Sequence, residues 1–202
     1  MNQFLVLLNK MIIFKNINQH KTPLFPKSKN IIAKWGFSKK GIFLNSKGEW
    51  YLFLQMLFIA LHLMSPYPKI ENIAFPLNIF PILLGILVSI KGLVISIKGL
   101  IDLGDNLTPL PYPMKETILI RNNSYNLLRH PIYKGLLLIS LGICFFKFSL
   151  LHFFLFISLA FVIRKKALKE EEMLKIKFPE YRNYIKDVPA IFNNIKFFDW
   201  RS

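Results

Sequence analysis

The chain has 202 residues, 53% of them hydrophobic, yet carries a formal net charge of +16. The apolar residues form long blocks divided by basic loops, a pattern that excludes an ordinary soluble domain and fits a polytopic membrane protein. The charge would also suit nucleic acid, but there is no zinc-finger, RRM or helix-turn-helix pattern and the aromatics lie inside the apolar blocks, so anionic lipid headgroups are the expected partner of the lysines.

Residues 1–48 read as a basic, weakly structured N-terminal segment. Residues 1–14 are apolar but broken by Asn9 and Lys10, too short to span a bilayer; they fit a loosely ordered tail, a degenerate signal or an interfacial helix. Residues 15–48 hold eight lysines and no acid, and would lie on the cytoplasmic membrane face. A single membrane domain is expected over residues 49–202. Its first span runs from Trp50 to about Met64 and is stopped by Pro66-Tyr67-Pro68. The second runs from about Phe75 to Ile97, with a kink at Pro81 and a snorkelling Lys91. Residues 98–131 form a polar connection in which Pro109, Pro111 and Pro113 exclude a helix. The third span covers Ile132 to Phe146, Lys147-Phe148-Ser149 is a tight turn, and the fourth span covers Leu150 to Ile163. No Gly or Pro interrupts Arg164 to Phe178, so one helix of about 44 Å is expected from Leu150 to Phe178, leaving the bilayer by several turns.

Lysine and arginine counts orient these spans. Residues 1–49 hold nine, residues 98–134 five and residues 164–202 ten, against one each near Lys69 and Lys147. Four spans with both termini cytoplasmic follow from the positive-inside rule. Cys144 lies in an apolar run and reads as a small buried residue. His20, His62, His130 and His152 have no Cys or carboxylate at ligand spacing, so no metal site is expected.

Two blocks carry the candidate chemistry. Arg129-His130-Pro131-Ile132-Tyr133-Lys134-Gly135 opens the third span. Pro131 suits the first helical position and His130 its cap, so the free amides, the helix dipole, Arg129 and His130 together make an anion site. Gly135 would let a ligand or another helix approach closely. An ordinary membrane-helix start with an interfacial Arg and Tyr fits the same residues. In the second block Lys166 and Glu170 share a helix face, and Glu170 with Glu171 suits an amine or ribose hydroxyls. A solvated charged face is the alternative there. Jointly, an anion site and a carboxylate pair at one membrane face complement a zwitterionic amino-acid moiety.

From about Leu103 to Phe192 the chain resembles the integral-membrane methyltransferases of the isoprenylcysteine carboxyl methyltransferase and phospholipid methyltransferase superfamily. The matching elements are Leu103-Gly104 through Pro111, Tyr125, Arg129-His130-Pro131-x-Tyr133-x-Gly135, Glu170-Glu171-x-x-Leu174, Phe178-Pro179-x-Tyr181-x-x-Tyr184 and Val188-Pro189. The resemblance implies an all-α membrane protein of about four transmembrane helices, with a cytoplasmic cofactor pocket formed by the C-terminal hairpin and its extension, and a methyltransferase-like core over residues 103–192. It implies S-adenosylmethionine as cofactor and a lipophilic acceptor: a prenylcysteine-type carboxylate, a lipid amine or a related isoprenoid. It also implies a cofactor pocket made by Thr117, Ile118, Leu119, Ile120, Tyr125, Arg129, His130, Pro131, Tyr133, Gly135, Glu170 and Glu171, with Lys166 orienting the acceptor. Two positions depart from the pattern. Lys166 stands where the isoprenylcysteine enzymes have an arginine, and Asn122-Asn123-Ser124 replaces a Gly-containing turn, which Asn can still make because it tolerates positive φ. An NADPH-dependent membrane reductase of the sterol-reductase type, sharing an Arg-His-Pro-like element, and a non-catalytic membrane scaffold are the competing readings. A compact chain without a clear transit peptide favours a bacterial inner membrane.

Overall fold

The computed structural model describes residues 35–67 and 79–201. The expected tail at 1–14, most of the basic segment, Pro68 and the start of the second span lie outside them. Every helix or strand assigned among the described residues is a helix: α1 (Lys39–Leu44), α2 (Glu49–Leu61), α3 (Ile79–Leu103) with a 3-10 turn at Gly104–Asn106, α4 (Ser124–Leu127), α5 (Pro131–Lys147), α6 (Leu150–Lys177) and α7 (Tyr181–Asp187).

Local chemistry sets most boundaries. Ser38 caps α1 by accepting from Gly41 N at 2.9 Å, and Asn45 closes it in the left-handed region at φ 51°. α2 stops at Leu61, three residues before the expected Met64, where the N–H of His62, Leu63 and Met64 turn back to carbonyls at Ile59, Ala60 and Leu61. α3 runs six residues beyond the expected Ile97. Pro81 falls in its first described turn, a position proline tolerates without kinking a helix. α5 begins at Pro131 with His130 as its cap, as expected. Phe148 reverses the chain at φ 41°, its N–H bonding Cys144 O at 2.8 Å. α6 then runs unbroken for 28 residues.

The tightest packing joins α3 and α5, antiparallel, along a seam of small residues. A Cβ on Gly92 would lie 2.6 Å from Gly135 O and 2.9 Å from Ile139 N; one on Gly85 would lie 2.5 Å from Gly142 O. Ser96 Oγ donates to Ile132 O at 3.4 Å, and Gly99 sits against Pro131 and Ile132. Small residues at such spacing let backbones meet, which is how helices associate where water supplies no hydrophobic drive. Of the two approaches to Gly135 that the sequence allows, a ligand or a helix, the structure has the helix.

α2 packs along α6, and α6 returns beside α5. Away from the candidate site, Lys147 Nζ donates to His62 O at 2.9 Å and also to Met64 O, Ser140 Oγ lies 2.7 Å from His62 Nε2, and Cys144 Sγ donates to His152 O at 3.0 Å. These bonds tie α2, α5 and α6 together. Read singly in the sequence, His62 and His152 look scattered; their rings lie 5.8 Å apart. The outward faces of α2 and α3 are apolar and exposed, from Trp50, Phe53 and Met56 to Phe80, Leu87 and Ile101. Ile79–Asn106, of 28 residues and mean hydropathy 2.3, is the one helix among the described residues long and apolar enough to cross a membrane by itself. After α7, residues 188–201 form a strap that folds back on itself, with Ile191 N bonding Phe198 O at 3.0 Å.

Because a Cβ at Gly92 meets backbone rather than a movable side chain, Gly92→Ala is expected to destabilise the fold by about 1–3 kcal/mol. Leu87→Ala, on the exposed face of the same helix, should change stability far less. Thermal unfolding in detergent checks both; equal effects would mean that the seam is not a tight contact.

Candidate functional site

The site is built around the chain entering α5. Proline at 131 keeps His130 out of the helical region, at φ −131° and ψ 63°. The backbone before it is clamped, Arg129 N donating to Pro189 O at 2.9 Å and His130 N to Ala190 O at 3.0 Å. Upstream, Asn123 takes φ 52°, as the tolerance of Asn for positive φ predicts. Its turn is held by Asp102, which accepts from Ser124 N at 3.0 Å and Asn123 Nδ2 at 3.2 Å.

Glu171 lies at the centre, 1% exposed. Arg129 Nη1 donates to its Oε2 at 2.9 Å, Trp200 Nε1 to the same oxygen at 2.8 Å, and His130 Nε2 lies 2.9 Å from Oε1. Burial alone would push this carboxyl upward. The hydrogen bond and charge of His130, the charge of Arg129 and the indole hydrogen bond outweigh it, and hold the group below the usual carboxylate range. This corrects one reading of the sequence. Arg129 and His130 do form an anion site, but the anion in it is Glu171, delivered by α6.

Glu170, the next residue, behaves differently. Its side chain is 31% exposed, and Oε2 accepts from Tyr133 Oη at 2.7 Å. The His130 ring stacks on Tyr133 with centroids 5.3 Å apart. One turn back along α6, Lys166 is 3% exposed, donates to Gln55 Oε1 of α2 at 2.8 Å and stands 5.4 Å from the Tyr133 ring centroid. Burial pushes the Lys166 ammonium down to about 8, with Glu170 opposing the shift. Burial likewise raises the hydroxyls of Tyr125 and Tyr184, and Tyr184 Oη donates to Tyr125 O.

Two cavities meet here. One, of about 540 Å³, lies under the connection and is lined by Thr117, Ile118, Leu119 and Ile120 together with Leu174 and Tyr181. The other, of about 770 Å³, opens between helices and is lined by Leu52, Gln55, Met56, Leu136, Tyr133 and Lys166. Leu103, Thr108, Tyr125, Arg129 and Glu170 line both, so the two share a wall. Among the lining residues are buried polar atoms with no hydrogen-bond partner among the described residues: Arg129 Nε and Nη2, and Thr117 Oγ1. Such atoms are costly unless something meets them. The arrangement offers donors for an anionic group and a half-exposed carboxylate for a cation or hydroxyls.

The structure therefore brings together Thr117–Ile120, Tyr125, Arg129, His130, Tyr133, Lys166 and Glu170. The N–H of Thr117 bonds Met114 O at 3.2 Å and that of Ile118 bonds Asn106 Oδ1 at 2.9 Å, while the buried Thr117 hydroxyl has no partner among the described residues. Pro131 and Gly135 sit on the α3 seam and Glu171 lies behind the wall; none of the three lines a cavity. Sequence reasoning missed Gln55, Asp102, Thr108 and Trp200. A signal existed for Gln55, a lone amide in an apolar span; Trp200 had none.

The pH dependence of stability should single out Glu171. Its folded pKa lies below the unfolded one, so its contribution is complete above the ordinary glutamate value of about 4.3 and is lost as pH falls through the folded value. Glu171→Gln should cost about 3–5 kcal/mol near neutrality, because Arg129 stays buried without its counter-charge. The gap between wild type and variant should narrow in acid. Unfolding curves at several pH values check this, and a gap that does not vary with pH would assign the titration elsewhere.

A family model described as phospholipid methyltransferase matches residues 80–180, from the first turn of α3 to the residue before α7 and half of the chain. No curated protein matches it. The matched span contains Asp102, the connection, Arg129-His130-Pro131 and the Glu170-Glu171 pair, and leaves α2 and the strap outside. The chain therefore belongs to the phospholipid methyltransferase family, and is a membrane-associated methyltransferase for lipid-type substrates.

Proposed function

We propose that this protein transfers a methyl group from S-adenosylmethionine to a lipophilic acceptor: a prenylcysteine-type carboxylate, a lipid amine or a related isoprenoid. The observation that carries this reading is the two guanidinium nitrogens of Arg129 left unpartnered among the described residues, buried in a residue that, like the half-exposed Glu170, lines the wall between two cavities. A cofactor with a carboxylate, an ammonium and ribose hydroxyls suits those groups. In this reading Arg129 and Thr117 hold the carboxylate end, Glu170 takes the ammonium or the ribose, and Tyr125 and the 117–120 segment flank the rest. When bound, S-adenosylmethionine supplies an already activated sulfonium methyl, so the protein's task is alignment and the exclusion of water.

The second cavity suits the acceptor. Leu52, Met56, Ile132 and Leu136 make an apolar entry between helices, and Lys166 and Gln55 are its polar end. Lys166 as an ammonium orients an anionic acceptor; as a free amine it takes the proton from an amine acceptor. In the membrane, α2, α3, α5 and the first half of α6 act as the four spans, with both termini and the site on the cytoplasmic face of what we take to be a bacterial inner membrane. The apolar outer faces of α2 and α3 and the basic residues beyond them support that orientation. Membrane lipids are then its surroundings and its source of substrate.

Labelled S-adenosylmethionine should bind the detergent-purified protein with a micromolar Kd, and Glu170→Gln and His130→Ala should each weaken binding tenfold or more. A folded wild type that binds NADPH instead would mean a reductase, and one that binds neither would mean a scaffold. The acceptor class can be read from pH. With a carboxylate acceptor the rate should fall as pH rises through about 8, because the Lys166 cation is lost; with a lipid amine it should rise through the same range. Lys166→Met should erase either limb, and an unchanged profile in that variant would remove Lys166 from the mechanism.

A further inference from the structure

The strap at residues 188–201 lies beyond the family match, yet it supplies one of the three donors on Glu171. It is attached in two independent ways. Its backbone carbonyls at Pro189 and Ala190 receive the N–H of Arg129 and His130, at 2.9 and 3.0 Å. Its far limb is pinned to α6, where Arg164 Nε donates to Phe197 O at 2.8 Å and the guanidinium lies 5.0 Å from the Phe197 ring centroid. Arg201 closes the loop through Asp199, with Nε 3.0 Å from both carboxylate oxygens, and through Asn193 Oδ1 at 2.7 Å. The strap is therefore docked without any help from the indole N–H of Trp200.

That N–H points inward. Besides its bond to Glu171 Oε2, the Trp200 ring lies 5.7 Å from Arg129 Cζ and 6.3 Å from the His130 ring, and it is not among the residues lining either cavity. Glu171 cannot rotate freely while three donors from two chain segments hold it, and Arg129 is among the residues lining both cavities, His130 among those lining the second. We propose that Trp200 is a positioning residue of the binding site: its N–H fixes the Glu171 carboxylate, and through it the attitude that Arg129 and His130 present to a ligand. The strap is then a working part of the site. This rests on the reading of the cavity as a cofactor site, but its first test does not need the cofactor.

Trp200→Phe deletes the N–H and keeps an aromatic, though smaller, ring; Phe197→Ala loosens the strap's attachment and keeps the N–H. In protein labelled with ¹⁵N-histidine and free of ligand, the His130 Nε2 resonance should move in Trp200→Phe, while the apparent Tm falls less than in Phe197→Ala. With labelled S-adenosylmethionine, Trp200→Phe should raise the Kd about tenfold. If the wild type binds no S-adenosylmethionine, the cofactor reading fails and the resonance alone decides the role of Trp200. An unmoved His130 resonance, or an unchanged Kd where the wild type binds, would overturn the proposal and leave Trp200 as packing.

Discussion

The burial of the Glu171 carboxylate is the constraint on which the rest of the site depends. An ionised carboxylate removed from water is tolerable only where donors replace its hydration. Here they come from two places far apart in the chain: Arg129 and His130 at the entry to α5, and Trp200 in the strap. Satisfying one carboxylate therefore fixes the entry of α5, the height at which α6 passes it, and the path of residues 188–201. It also explains why α6 is so long. The helix has to continue two turns beyond Ile163 to bring residue 171 level with residue 130, and Arg164 to Phe178 offer no glycine or proline to stop it.

The second support is steric. The α3 and α5 backbones touch through Gly85, Gly92 and Gly99 on one helix and Gly135 and Gly142 on the other. With Ser89 and Ser96 between them, the small residues of α3 recur at alternating intervals of four and three, the period of a helix–helix seam. The seam ends at Pro131, where the site begins. The start of α5 is thus gripped by α3 on one side and by Glu171 on the other, and the position of the Arg129 and His130 side chains is set by both. Asp102, at the last turn of α3, extends the same grip to the turn around Asn123.

What could be read from the sequence was what local chemistry decides. Pro131 as a helix start, the reversal at Phe148, the uninterrupted α6 and the positive φ at Asn123 each follow from the conformational range of one or two residues. The expected second span ends at Ile97, just before Lys98, six residues short of the helix's end, because a lysine's long side chain can leave an apolar helix without ending it. Of the seam's glycines the sequence singles out only Gly135, and the common period of the others has meaning only once a second helix is beside it. Long-range pairing was out of reach. Nothing near Glu171 in the chain says that Arg129 and Trp200 will meet it, so a frame internal to the protein read as a site waiting for an outside anion.

The two adjacent glutamates then divide the work by geometry. Successive residues on a helix point about 100° apart. With Glu171 directed inward to its donors, Glu170 must face the cavity wall, where Tyr133 holds one oxygen and the other remains free. Lys166, one turn earlier, falls on the Glu170 face. A single helical register thus sends one carboxylate to the frame and sets another, with a buried amine, before the space a ligand would enter. The Arg129 guanidinium is divided in a similar way, with Nη1 on Glu171 and with Nε and Nη2 unpartnered among the described residues. A charge half satisfied within the fold is anchored in place, and the half left over is what can bind.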